Sequence, residues 1–260
     1  MSQSVSKALR ILVELGAGQR SLAELADRLD VHKSTVLRLL RTMQDERFVF
    51  RDDAHRYHLG SRLFALSSLA LEQREVRRIA AAHLAELNRR TGQTVHLAAL
   101  EGDEVVYVDK YDSRQPVRMY SRIGLTAPLN CAAVSKVILA GLPAEQRAQL
   151  VSAIDFVRFT ERTITEVDAF HTELDEVARR GYAVDRAEHE SFINCIGAPV
   201  RDAGGRVVAA ASISVPDVVL GYDRLLELLP ELLATAAAVS AECGFLEIEQ
   251  TSPPGTSLAR

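Results

Sequence analysis

The chain has 260 residues, 47% hydrophobic and 25% charged, with no Trp and a formal charge of −4. That length allows one small and one ordinary domain, and the composition is that of a globular protein rather than a disordered or fibrous one. No apolar run approaches the roughly twenty residues needed to span a bilayer and no basic-then-apolar leader opens the chain, so a cytoplasmic protein with no membrane partner is expected.

Cys131, Cys195 and Cys243 are odd in number, widely spaced and outside any C-x-x-C pair. Neither a disulfide framework nor a zinc cage is expected, and no cofactor is assigned. The charge is uneven. Residues 1–60 hold ten Lys/Arg against eight Asp/Glu, a balance of +2, and residues 61–260 hold twenty-one against twenty-seven, a balance of −6. A modest basic excess at one end suits a protein that gains affinity for DNA by dimerising rather than by raw charge.

In chain order, Val5, Ala8, Leu9, Leu12 and Leu15 mark a first helix stopped by Gly16 and Gly18. Ser21 and Glu24 have the spacing of a capping box, opening a short second helix that ends near Asp30. In the next stretch Val36, Leu39, Leu40 and Met43 recur at i, i+3, i+4 and i+7, one face of a third helix over Lys33 to Gln44. Its other face carries Lys33, Ser34, Thr35, Arg38 and Arg41: cations and small hydroxyls that can donate to phosphates and base edges. Two helices joined by a three- or four-residue turn make a helix-turn-helix, with the third helix the reader. Phe48–Arg51 and Arg56–Leu59 then form a hairpin of wing size, with Arg51 and Arg56 near its tip against the sugar-phosphate backbone.

Ser61 to Arg74 is a helix apolar almost all round, through Leu63, Phe64, Leu66, Leu69, Ala70 and Leu71. Standing between two domains, it is expected to pack on the same helix of a second chain. A helix over Val76 to Thr91 follows. Strands are expected at Thr94–Leu100, Val105–Val108 and Val117–Arg122, then helices at Asn130–Ala140, Ala144–Ile154 and Thr165–Arg180, the last stopped by Gly181. Three more strands, Tyr182–Arg186, Ile193–Arg201 and Arg206–Val215, precede an apolar helix from Leu225 to Phe245 that Pro230 should kink or restart. The tail, 248–260, reads as disordered. The fold class is α+β: a winged helix-turn-helix at 1–60, a linker helix at 61–75 and a sensor-like α/β domain at 76–247.

Alternation along Arg206–Val215 puts Ser212 and Ser214 on one face of an otherwise apolar strand, as on a pocket floor. A two- or four-residue turn before it would make the numbers of paired residues sum to 407, setting Cys195 opposite Ser212 and Gly197 opposite Ala210, whereas an odd-length loop would slip the register. Asp185 on the neighbouring strand can converge with Cys195, Ser212 and Ser214 on one small polar cavity. The same residues leave two other readings open. One is a cysteine-dependent enzyme using Cys131 or Cys195 with His189 or Asp185, although no nucleophile elbow or phosphate loop is present. The other is a protein-interaction module; a metal site from His171, His189 and Cys195 is disfavoured because scattered histidines are usually surface residues.

The runs Lys33–Leu40, Tyr57–Gly60, Pro128–Lys136, Gly181–Asp185, Cys195–Val200 and Ser212–Ser214, in this order, resemble the IclR family of bacterial transcriptional regulators over roughly Ser4 to Gly244. The resemblance implies a winged helix, a linker helix and a GAF-like effector domain. It implies homodimers, often paired into dimers of dimers, on palindromic double-stranded operator DNA, and small carboxylic or keto acids as effectors. Carried over by motif, the effector site would be lined by Met119, Ala133, Val134, Asp185, Cys195, Ser212 and Ser214. The chain departs from the family pattern at Arg47 and Ser135, where Gly is usual. The segment Gln115–Arg122 is similar to members that respond to sugar-derived keto acids, and a repressor of a catabolic operon is the expected role.

Overall fold

The computed structural model describes residues 3–73, 75–117 and 119–245; the tail read as disordered lies outside them. The chain divides into two compact units, 1–74 and 75–260. In the first, α1 (Gln3–Gly16), α2 (Leu22–Leu29) and α3 (Lys33–Asp45) are followed by β1 (Val49–Arg51), β2 (Tyr57–Leu59) and α4 (Ser61–Glu72). Both halves of the predicted capping box form: Ser21 Oγ accepts from Glu24 N at 3.3 Å, and Glu24 Oε2 accepts from Ser21 N at 2.6 Å. The four apolar residues of the α3 stripe are all buried, against Ile11, Leu15, Leu25 and Tyr57.

The end of α3 fixes the wing. Phe48 N donates to Met43 O (2.8 Å) and Arg47 N to Gln44 O (2.9 Å), a Schellman ending whose left-handed residue is Arg47 at φ 59°. A side chain is therefore held where glycine is favoured. Glycine is instead required at position 60, because a Cβ there would lie 2.2 Å from Arg47 O. β1 and β2 pair antiparallel, and Arg20 adds a third rung through Tyr57 N→Arg20 O at 2.7 Å. α4 has no buried residue among those described; Phe64, Leu66 and Leu69 are 71%, 45% and 54% exposed. An apolar helix left this open in a single chain needs cover from elsewhere.

The second unit contains α5 (Glu75–Thr91), β3 (Thr94–Glu101), β4 (Glu104–Tyr111), β5 (Thr126–Ala127), α6 (Ala133–Ala140), α7 (Ala144–Ser152) and α8 (Val167–Arg180). It continues with β6 (Ala183–Arg186), β7 (Ile193–Arg201), β8 (Val207–Pro216), α9 (Tyr222–Leu226) and α10 (Leu229–Glu242). The strands form one antiparallel sheet in the order β5-β4-β3-β8-β7-β6. One face packs on α5 and α10 through Leu84, Leu97, Ile196, Ile213, Leu232 and Val239. The other meets α6 and α8 through Ala98, Ala210, Val134, Val137 and Val177. Small side chains on that second face let a helix come close: a Cβ on Gly197 would already touch Ala133 O at 3.0 Å.

Two expectations need correction. Val117–Arg122 is not a strand; among its described residues it runs irregularly, and the rim of β4 is taken by the two-residue β5. The backbone there is held by side chains, with Met119 O and Ser121 O accepting from Lys110 Nζ at 3.2 and 2.6 Å. The β7–β8 register sums to 409 rather than 407, so Cys195 faces Ser214 and Gly197 faces Ser212. An odd turn across Asp202–Arg206 slips the pairing by one residue, and a bulge beside Val200 and Arg201 slips it again. Two slips restore the parity, and both serines stay on the predicted face. Of the two roles expected for Pro230, the structure shows the fresh start: α9 ends at Leu226, and Pro230 sits in the first turn of α10.

Candidate functional site

On α3, Lys33, Ser34, Arg38 and Arg41 are exposed and Thr35 is half-buried. Among the described residues no ion pair engages Lys33, Arg38 or Arg41, so this helix face presents unpaired cations to water. His32 caps the helix, its Nδ1 accepting from Ser34 N at 3.3 Å. On the wing Arg51 is exposed, its guanidinium 5.6 Å from the Tyr57 ring centre. Arg56 is turned back to α2, bridging Glu24 at 3.0 Å and donating to Gln19 O at 3.2 Å. Meeting a phosphate there would mean giving up the Glu24 bridge.

The second site is a cavity of about 740 Å³, open mouth included, on the α6 side of the sheet. The structure brings together all seven residues carried over by motif: Met119, Ala133, Val134, Asp185, Cys195, Ser212 and Ser214. The register explains the convergence. Asp185, Cys195, Ser214 and Thr94 lie side by side across four strands, and Gly197, Ser212 and His96 form the next row. Ala133 and Val134 bring the first turn of α6 to the cavity wall. Ala132 caps that helix without a side-chain hydrogen bond, so the first-turn amides have no intrahelical partner and face the cavity with the positive end of the helix dipole.

Sequence reasoning missed His96, Tyr107, Tyr120, Ser121 and Glu190, which also line the cavity, and brought in His189 only as a possible partner of a cysteine or a metal. His96 could have been found by pairing its strand with β8, since it stands opposite Ser212. The loop residues Tyr120 and Ser121 carry no such signal.

Burial dominates the electrostatics. Asp185 is pushed up from 3.8 to about 7, chiefly by desolvation, with the Glu188 carboxylate adding to the rise and Lys136 opposing it. Burial also raises the Cys195 and Cys131 thiols and the Tyr107 phenol and pushes His96 down to about 3, so near neutrality none of these four side chains carries a charge. A thiol held protonated is a poor nucleophile, which removes the chemistry of the enzyme reading. Behind the cavity the fully buried Lys136 donates to both Glu188 oxygens at 2.8 and 2.9 Å and lies 3.4 Å from Glu173. Ser135, the departure from the family pattern, donates to Ala127 O at 3.4 Å and does not line the cavity.

A winged helix-turn-helix with an open cationic reading helix, on one chain with an α/β unit holding a small-molecule cavity, defines a class: transcriptional regulators that bind DNA and are tuned by small-molecule effectors. The IclR helix-turn-helix domain matches residues 4–53, and the bacterial transcriptional regulator IclR C-terminal domain matches 68–241. The HTH-type transcriptional regulator KdgR of Escherichia coli is 38% identical over 93% of both chains. The HTH-type transcriptional repressor AllR of Klebsiella pneumoniae is 31% identical over 94% of this chain and 91% of its own. The crystal structure of the Thermotoga maritima IclR superposes with a TM-score of 0.81 at 32% identity, covering 94% of this chain and 100% of that one. This chain belongs to the IclR family, whose members are regulators and not enzymes.

Proposed function

We propose that the protein is a repressor of a catabolic operon, that it binds palindromic double-stranded operator DNA, and that a small carboxylic or keto acid in the cavity controls it. In this reading 1–60 binds DNA, 61–75 links and dimerises, and 76–247 binds the effector. Lys33, Ser34, Thr35, Arg38 and Arg41 enter the major groove, and Arg51 and Arg56 meet the backbone. The exposed apolar face of α4 supports a homodimer, which can pair further into a dimer of dimers.

The observation that carries the effector reading is the cavity wall itself. The α6 N-terminus, whose first-turn amides lack intrahelical partners, stands with Ser212 and Ser214 in a concave site, an arrangement that suits a carboxylate of a compact acid. The Gln115–Arg122 segment, similar to members that answer sugar-derived keto acids, favours that class of acid. Occupancy is expected to shift the linker helices, and with them the spacing of the two recognition helices relative to half-sites a helical turn or a multiple of it apart.

The test pairs a thermal-shift screen of sugar-derived keto acids and aromatic acids with a gel shift on a duplex selected by the purified protein. A ligand for the native state raises its melting point. Ser212→Ala should leave DNA binding intact and blunt the response to the acid; an unchanged response rejects this cavity as the effector site.

A further inference from the structure

We propose that His96 is the specificity-determining residue of this cavity: its single ring proton sets whether Ser214 offers a ligand a hydrogen-bond donor or an acceptor. This rests on the reading of the cavity as an acid site. His96 is 1% exposed, in the centre of the sheet, and both its nitrogens are used. Nε2 lies 2.7 Å from Ser121 Oγ on the irregular segment that crosses the cavity, and Nδ1 lies 3.4 Å from Ser214 Oγ on the floor. The Tyr107 ring packs against the imidazole with centroids 4.9 Å apart, holding it in place.

A neutral imidazole carries one proton, so the two contacts cannot both be donated by the ring. With the proton on Nδ1, the ring donates to Ser214 Oγ and Nε2 accepts from Ser121. The Ser214 hydroxyl hydrogen is released to the cavity side, where it can pass from the weakly accepting Cys195 sulfur to a ligand oxygen. With the proton on Nε2, the polarity reverses, and Ser214 spends its hydrogen on the ring and shows a ligand only lone pairs.

The surroundings select the first arrangement. Burial excludes the imidazolium, and the charged groups facing the ring are Lys110, which disfavours the cation, and Asp112, which favours it. Lys110 is bridged to Asp112 at 2.8 Å, but its effect on the ring is the larger of the two. Its Nζ donates to Ser121 O at 2.6 Å, leaving a net positive field on the Nε2 side, where a lone pair is better placed than a proton. Ser214 therefore donates, and a ligand oxygen beside it must accept. A keto or carboxylate oxygen accepts with nothing left over. A hydroxyl in the same place can also accept from Ser214, but its own hydrogen must turn away to another acceptor, and that added orientational demand is expected to cost about tenfold in affinity.

The experiment measures calorimetric dissociation constants of the full-length protein for matched pairs, pyruvate with lactate and 2-oxoglutarate with 2-hydroxyglutarate. It is combined with nitrogen-15 NMR of the His96 ring. Wild type should prefer the keto member about tenfold, with Nδ1 protonated. His96→Gln keeps a group at the Nε2 position for Ser121 but frees Ser214 to rotate, and the preference should fall to within twofold. Ser121→Ala, which removes the far end of the relay without touching the floor, should also reduce it and guards against a folding defect in the first variant. Binding with undiminished discrimination in both variants, or a ring protonated on Nε2 in the complex, overturns the proposal. Failure of wild type to bind any of the four acids, with the ring still protonated on Nδ1, instead rejects the acid reading beneath it.

Discussion

The reading helix and the cavity are both polar, and they are built on opposite principles. Lys33, Arg38 and Arg41 stand unpaired in water, so their charges are permanent, screened by salt and nearly without consequence for folding. In the cavity His96 and Cys195 are desolvated and held neutral and Asp185 is raised to about 7, while behind it the buried Lys136 is committed to Glu188. The first surface answers to ionic strength. The second answers to pH and to ligand shape.

If the contrast holds, a change at each place should fail in its own way. Removing Lys136 is expected to have the largest effect on folding. Lys136→Met strands the Glu188 carboxylate, while Glu173 keeps its 2.8 Å bridge to Arg180, costing about 3–5 kcal/mol in chemical denaturation while the winged helix keeps its own fold. Arg38→Ala, by contrast, should leave the denaturation midpoint unchanged and weaken specific duplex binding roughly a hundredfold or more in a symmetric dimer, as read by fluorescence anisotropy.

Asp185 sharpens the comparison through pH. Its folded value lies above the ordinary one, so the folded state holds the extra proton, and stability should fall as pH rises from about 4 to about 7 and level off above. The Asp185 contribution to the slope is at most about 1.4 kcal/mol per pH unit, and Asp185→Asn should remove it, leaving the same-signed contribution of Glu188. The same ionisation sets a second negative charge beside an acid ligand, whose affinity should drop as pH passes 7 in wild type and not in the variant. The smallest effect belongs to the strained helix end: Arg47→Gly relieves a left-handed side chain and should stabilise by about 0.5–1 kcal/mol, less whatever freedom the unfolded chain regains.

The two regions also differed in how far the sequence revealed them. The reading helix was legible almost to the residue, because a capping box, a 3.6-residue stripe and a short turn are local signals. The cavity was legible where its residues lie on regular strands. Asp185, Cys195, Ser212 and Ser214 share a face by parity, and that parity survived two compensating slips that no sequence pattern announces. What escaped was set by long-range pairing or side-chain tethering. His96 is found only once β3 is known to lie beside β8, and the crossing segment looked like a strand because its alternation says nothing about Lys110 holding its carbonyls. The linker helix was read from its apolar residues as buried on several sides, and in the single chain Phe64, Leu66 and Leu69 stand exposed, which a second chain would have to cover.

In the proposed mechanism a desolvated cavity controls an ionic DNA-binding surface. The most direct test is duplex affinity measured across a salt series, with and without a keto acid that raises the melting point, in wild type and Ser212→Ala. Log affinity should fall linearly with log salt in all four series, because phosphate contacts release counterions. The acid should displace the wild-type line and leave the Ser212→Ala line where it was. A duplex affinity indifferent to salt, or an acid that displaces both lines equally, would contradict the account.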